Sequence, residues 1–119
     1  GKPWFYANEN YKAINVAAQE NDPDSILNFY RKAIALRKSL PVVRHGKYKE
    51  HFKFSSKHYV YSREMAGEKL LVVCSFADRQ TKMKVPSDFD MSKAELILCN
   101  YNEKSQLLRP YECRVYLWR

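Results

Sequence analysis

The chain has 119 residues, 45% of them hydrophobic and 14% aromatic, which is enough for a core without disulfide or metal staples and excludes wholesale disorder. Three glycines and five prolines exclude collagen-like and low-complexity classes, and no apolar run approaches the ~20 residues that span a bilayer. The net charge of +8 is concentrated: positions 31–57 hold nine basic residues against one acid, Glu50, and the remainder balances.

Gly1 opens the chain with neither methionine nor a charged-then-apolar leader, so no signal peptide is expected and the start reads as that of a fragment. Residues 1–21, rich in Asn, Tyr and Ala, show no sustained period. They are expected to form an ordered loop with a helical turn near residues 13–19. A helix start follows, with Asp22 at the N-cap, Pro23 at the first helical position and Asp24 beside the dipole. The helix is predicted to run to about Ser39, because Pro41 disfavours helical geometry at Leu40. On a helical wheel Leu36, Phe29, Leu40, Ala33, Ile26, Tyr30, Ile34 and Leu27 share one arc of about 180°, wider than an ordinary amphipathic stripe. So broad a face calls for cover on two sides. Arg37 falls inside it and must pair or snorkel.

After Pro41 the apolar period changes from helical to alternating, and strands are predicted over 46–54, 58–64, 69–76, 81–85, 94–101 and 113–118. Met65-Ala66-Gly67-Glu68 reads as a hairpin connection. Leu70-Leu71-Val72-Val73-Cys74 is apolar on both alternations and should be a central strand covered on both faces. Short strands with Pro86-Ser87-Asp88 and Asn102-Glu103-Lys104-Ser105 turns between them describe an antiparallel sandwich or barrel.

Chemistry-bearing motifs are nearly absent. Cys74, Cys99 and Cys113 are odd in number and lack C-x-x-C spacing, so they read as small buried hydrophobes in a reducing, cytoplasmic compartment. His45, His51 and His58 do not alternate onto one face with carboxylates, so no metal site is expected. Asp22, Asp24, Asp88 and Asp90 read as helix-start and turn residues. No nucleophile motif or phosphate-binding glycine loop occurs, and no cofactor is implied. The basic third is interleaved with Tyr48, Phe52, Phe54, Tyr59 and Tyr61, a mixture that can bind nucleic acid, yet no binding fingerprint accompanies it. A solvated basic face over an aromatic core is the favoured reading. A carbohydrate-binding module is the other alternative, and a coplanar, exposed set of aromatic rings would mark it.

Longer words in the sequence carry a resemblance. Gly1-Lys2-Pro3-Trp4, Asn8-Glu9-Asn10-Tyr11, Ile14-Asn15-Val16 and Gln19 are followed by 22–32 (DPDSILNFYRK) and 34–38 (IALRK). These resemble the segment that closes the catalytic barrel of bacterial α-glucosidases, the oligo-1,6-glucosidase group of the α-amylase superfamily (glycoside hydrolase family 13). Gly46-Lys47-Tyr48, the 59–63 and 69–73 runs, Asn100-Tyr101 and 108–112 are similar to that group's C-terminal domain. Glu9 stands where proline is common, and Ser75 where asparagine often precedes the phenylalanine.

The resemblance implies a mainly β fold. Residues 1–40 would be the last loop and eighth helix of a (β/α)₈ barrel, and residues 41–119 an antiparallel Greek-key β-sandwich. It implies a parent enzyme that hydrolyses terminal α-glucosidic bonds with retention, through two carboxylates on earlier barrel strands. No catalytic residue carries over onto this chain, which is expected to be inactive alone and to act as a structural, stabilising module. Gly1 to Trp4 follow the family's loop near the active site, so Trp4 and Tyr6 are the candidates for a minor substrate-side role. The expected partner is the barrel of the same protein, with α-glucosides bound only through the parent. Without that barrel, Ile26, Phe29, Ala33 and Leu36 would be left open, and the chain would self-associate through the helix.

Overall fold

The computed structural model describes residues 1–2 and 4–119; Pro3, part of the Gly1-to-Trp4 word, lies outside the described residues. Two compact units are present, Gly1–Leu36 and Arg37–Arg119.

In the first unit a 3₁₀ turn covers Glu9–Lys12 and a short helix, α1, covers Val16–Glu20. Asn15 caps α1, its side chain accepting from the Ala18 N–H at 2.8 Å. The long helix α2 runs over Ile26–Ser39 and so starts later than the Asp22–Pro23 signal predicts. Asp22 instead forms a local turn, its carboxylate accepting from the Asp24 N–H at 2.9 Å. The free N–H groups at the start of α2 are met by other residues. The Ser25 hydroxyl accepts from Asn28 N at 3.2 Å, and the Gln19 side-chain oxygen accepts from Leu27 N at 3.0 Å. Asn28 then donates to the carbonyls of Gln19, Glu20 and Asp22 and so fixes the turn before the helix.

No residue of α2 is fully buried. Leu27, Phe29, Ala33 and Leu36 are half-buried, whereas Ile26, Tyr30 and Ile34 are 73%, 64% and 49% exposed. The open stripe is therefore the i, i+4, i+8 row, not the predicted Ile26–Phe29–Ala33–Leu36 row. Arg37 is exposed, so its position in the arc imposes no buried charge.

In the second unit Leu40 takes extended geometry (φ −105°, ψ 105°), as the residue before proline should. Pro41 does not begin a strand region: it is the first residue of a further helix, α3 (Pro41–His45). Gly46 ends α3, its N–H donating to Val42 O. The strands are β1 (Lys47–His51), β2 (His58–Met65), β3 (Glu68–Ser75), β4 (Thr81–Lys82), β5 (Glu95–Cys99), β6 (Leu107–Leu108) and β7 (Cys113–Trp118). Six of the seven lie in predicted strands; β6 was not predicted. The β2–β3 turn is the expected hairpin, with Met65 paired to Glu68 and Gly67 at φ 81°.

The sheets are antiparallel throughout, in the order β1-β2-β3-β7-β5 and β4-β6. The chain leaves the large sheet after β3, returns as edge strand β5, leaves again for β6, and re-enters as β7 in the gap. That crossover is the Greek-key sandwich. β3 is central, as its continuous apolar run requires. One face of the large sheet places Val60, Leu71, Val73 and Tyr116 against Leu108 and Phe89, with Met83 and Val85 at the margin. On the other face Leu70, Val72 and Leu117 are buried, and α3, carrying the buried Val42, contacts β2 and β3.

Candidate functional site

The chemically densest place in the structure is the turn between β6 and β7. Pro110 and Tyr111 occupy its centre, Tyr111 has φ 54°, and Glu112 N donates to Arg109 O at 3.1 Å, the pattern of a type II turn. That turn aims the wholly buried Glu112 side chain back across it. One carboxylate oxygen accepts from Arg109 N at 2.7 Å and Arg109 Nε at 3.2 Å. The other accepts from Arg114 Nε at 2.7 Å and from the Cys99 thiol at 3.3 Å. Burial pushes the Glu112 carboxyl up, but hydrogen bonds from Arg109 and Arg114 outweigh it and hold it at about 2.

The ring of partners extends outward. Arg109 stacks over Tyr101 at 4.1 Å and donates to Glu103 O; Arg114 donates to Leu107 O at 3.0 Å. Tyr101 OH donates to Pro110 O at 2.8 Å, and Asn100 bridges Tyr111 O and Cys113 N. Glu112 is thus an anchor, ionised at neutral pH, that ties the ends of β5, β6 and β7 together.

The residues predicted from sequence fall elsewhere. Trp4 and Tyr6 are 96% and 103% exposed, in the first unit. Tyr48, Tyr59 and Tyr61 do converge: the Tyr48 and Tyr59 hydroxyls are 2.9 Å apart and the rings lie 5.4–5.5 Å from Tyr61. Their planes are tilted by 36° and 43°, so they do not form the flat platform that sugar stacking would use. His51 is hydrogen-bonded to Ser62 and His58 to Thr81, both at 2.9 Å, and burial lowers the pKa of each. Among the described residues no three His, Cys, Asp or Glu side chains converge as a metal site would need. A cleft of about 460 Å³ beside the β2–β3 hairpin is lined by Glu64, Glu68, Asp88, Asp90, Lys69 and Trp118. Two of its carboxylates face lysines, with Lys69–Glu64 at 3.8 Å and Lys93–Asp90 at 3.9 Å, and hydrogen bonds from Ser92 lower the Asp90 pKa.

Comparison with known proteins places this scaffold. The family model for the α-amylase catalytic domain matches residues 1–46. An oligo-1,6-glucosidase of Halalkalibacterium halodurans is 42% identical over 123 residues, covering 98% of this chain and 22% of its own length. Among solved structures, trehalose-6-phosphate hydrolase of Bacillus licheniformis superposes with a TM-score of 0.85 at 34% identity, over 100% of this chain and 23% of that one. Isomaltulose synthase of Erwinia rhapontici gives 0.87 at 32%, over 100% and 22%. The chain is similar to enzymes of the α-amylase superfamily, the family model covering its first 46 residues. It spans about a fifth of the length of the curated relatives it matches and resembles the C-terminal part of the superfamily's α-glucosidases. No helix among the described residues is long and apolar enough to cross a membrane.

The Glu112 cluster was missed at the level of sequence, although a signal existed. A lone acid flanked by arginines at −3 and +2, beside an apolar strand, is the pattern of a buried ion pair. In this chain the cluster locks the sandwich. The glycosidic general acid needs a carboxyl whose pKa is raised. The two carboxyls here with resolved shifts, Asp90 and Glu112, both move down.

Proposed function

We propose that this chain is the non-catalytic, C-terminal portion of an α-glucosidase of the oligo-1,6-glucosidase type, and that it stabilises the parent's barrel. Residues 1–40 supply the last loop and eighth helix of the (β/α)₈ barrel; residues 41–119 supply the sandwich. The parent hydrolyses terminal α-glucosidic bonds with retention, using carboxylates outside this chain. One observation carries the reading: similarity runs over 98% of the chain yet covers 20–22% of the glucosidases matched, and within that fifth Glu112, the one wholly buried carboxylate among the described residues, is locked between arginines.

In the parent, the exposed stripe Ile26–Tyr30–Ile34 is the surface the rest of the barrel covers, and in isolation it pairs two copies of the chain. Trp4 and Tyr6 take the substrate-side role their exposure leaves open. A reducing, cytoplasmic setting suits the three free thiols.

Hydrolysis assays test the proposal. Purified chain alone should release no glucose from isomaltose or an aryl α-glucoside, while the longer protein containing it should turn both over. Turnover by the chain alone overturns the reading.

A further inference from the structure

The large sheet holds two cysteines in contact. Cys74 of β3 and Cys113 of β7 are register partners, and their sulfurs lie 3.1 Å apart. The backbone bond beside them, from Ser75 N to Glu112 O at 2.8 Å, identifies 74/113 as a pair that does not itself exchange ladder hydrogen bonds. Such pairs bring opposing Cα atoms to about 4.5 Å, within the 4.4–6.8 Å range that a disulfide spans. The sulfurs need to approach by only about 1 Å to reach the covalent distance of about 2.05 Å. Both residues are half-buried, not sealed.

From this geometry we infer that Cys74 and Cys113 are an oxidation site that closes into a cross-strand disulfide when the chain meets a low-molecular-weight disulfide such as oxidised glutathione. Cys74 is the attacking thiol: its hydrogen bond with Cys113 lowers its pKa, while the same contact, and then burial, push Cys113 up. The Cys74 thiolate attacks one sulfur of the reagent, whose S–S bond breaks and releases one glutathione thiolate, leaving a mixed disulfide on Cys74. Cys113 gives up its proton to solvent and attacks the Cys74 sulfur, expelling the second glutathione thiolate. Two protein thiols are oxidised and one disulfide is reduced to two thiols.

Cys99 is excluded from this exchange. It pairs with Arg114 on β7, its side chain lies on the opposite sheet face from Cys113, and its thiol is engaged by Glu112 at 3.3 Å. The bridge would close 39 residues of sequence, containing β4, β5 and β6 and the Glu112 turn, and so would fasten the part of the sandwich with the shortest strands.

The test equilibrates the native chain in glutathione buffers of increasing oxidised fraction, then quenches, denatures and maps thiols and crosslinked peptides by mass spectrometry. The expected product at the oxidising end keeps one free thiol, Cys99, and carries a Cys74–Cys113 linked peptide. Its melting midpoint without reductant rises by about 10 °C and falls back when reductant is added. Cys99→Ser should form the same bridge, and Cys113→Ser should stop at a glutathione adduct on Cys74. Three free thiols throughout, a bridge involving Cys99, or a glutathione adduct that persists on Cys74 of the native chain would each overturn the inference. Should a serine variant fail to fold, the peptide map of the native chain decides by itself.

Discussion

Replacing Glu112 by alanine is the sharpest perturbation of this scaffold. The carboxylate is wholly buried and is the counter-ion of Arg114, itself 6% exposed, and of Arg109, with contacts of 2.7–3.2 Å. Removing one member of a buried pair leaves uncompensated charge and costs about 3–5 kcal/mol. At about 4–8 °C per kcal/mol for a unit of this size, the melting midpoint should fall by about 12–40 °C. Glu112→Gln keeps the volume and one acceptor and should lose about half as much. A second arm uses pH. The carboxyl sits at about 2 in the fold against 4.5 as its ordinary value. A depressed carboxyl contributes stability that is complete above pH 4.5 and is lost as pH falls towards 2, about 3 kcal/mol at most. Urea unfolding followed by circular dichroism across that window measures both arms, and Glu112→Gln should flatten the acid limb. An alanine variant within about 0.5 kcal/mol of the parent chain, or an unchanged acid limb in the glutamine variant, would refute the reasoning.

Other positions give independent tests. A Cβ at Gly46 would lie 2.5 Å from Val42 O and 3.1 Å from Glu64 N, so Gly46→Ala should cost about 1–3 kcal/mol in urea titrations. Tyr111, at φ 54° and 61% exposed, occupies a glycine-favouring turn position; Tyr111→Gly should be neutral or stabilising by about 1 kcal/mol, and a clear loss would contradict the turn assignment. His51 and His58 are held below 6.5 by burial and then by neighbouring lysines, so their contribution is present above pH 6.5 and lost as the pH falls further. A His51→Gln, His58→Gln chain should show a shallower decline in melting midpoint below that pH. In sedimentation, Tyr30→Glu should shift the isolated chain towards monomer, whereas an unchanged profile removes the Ile26–Tyr30–Ile34 stripe as the pairing surface.

The sheet was legible because its signals are local. The Val72–Val73 region is apolar on both alternations and became the central strand, and Gly67 took the positive φ its hairpin needs. The start of α2 was misread because a proline after an aspartate is a strong cap signal, while the side chains that meet the free N–H groups include Gln19, eight residues before Leu27. β6 escaped because two residues carry no period, and α3 because five residues that begin at a proline read as well in either state. The Glu112 cluster and the Cys74–Cys113 contact depend on register, which hydrophobic patterning does not fix between strands separated by three others.

We propose that this chain completes a glucosidase without performing its chemistry. The most direct measurement is reconstitution: the chain is mixed with the separately produced portion of the parent that precedes Gly1, and isomaltose hydrolysis and thermal inactivation are followed. The account predicts that the chain alone is inactive, that the barrel portion alone is inactive or short-lived, and that the mixture recovers activity and stability together. Hydrolysis by the chain alone, or a barrel portion fully active and stable without it, would contradict the account.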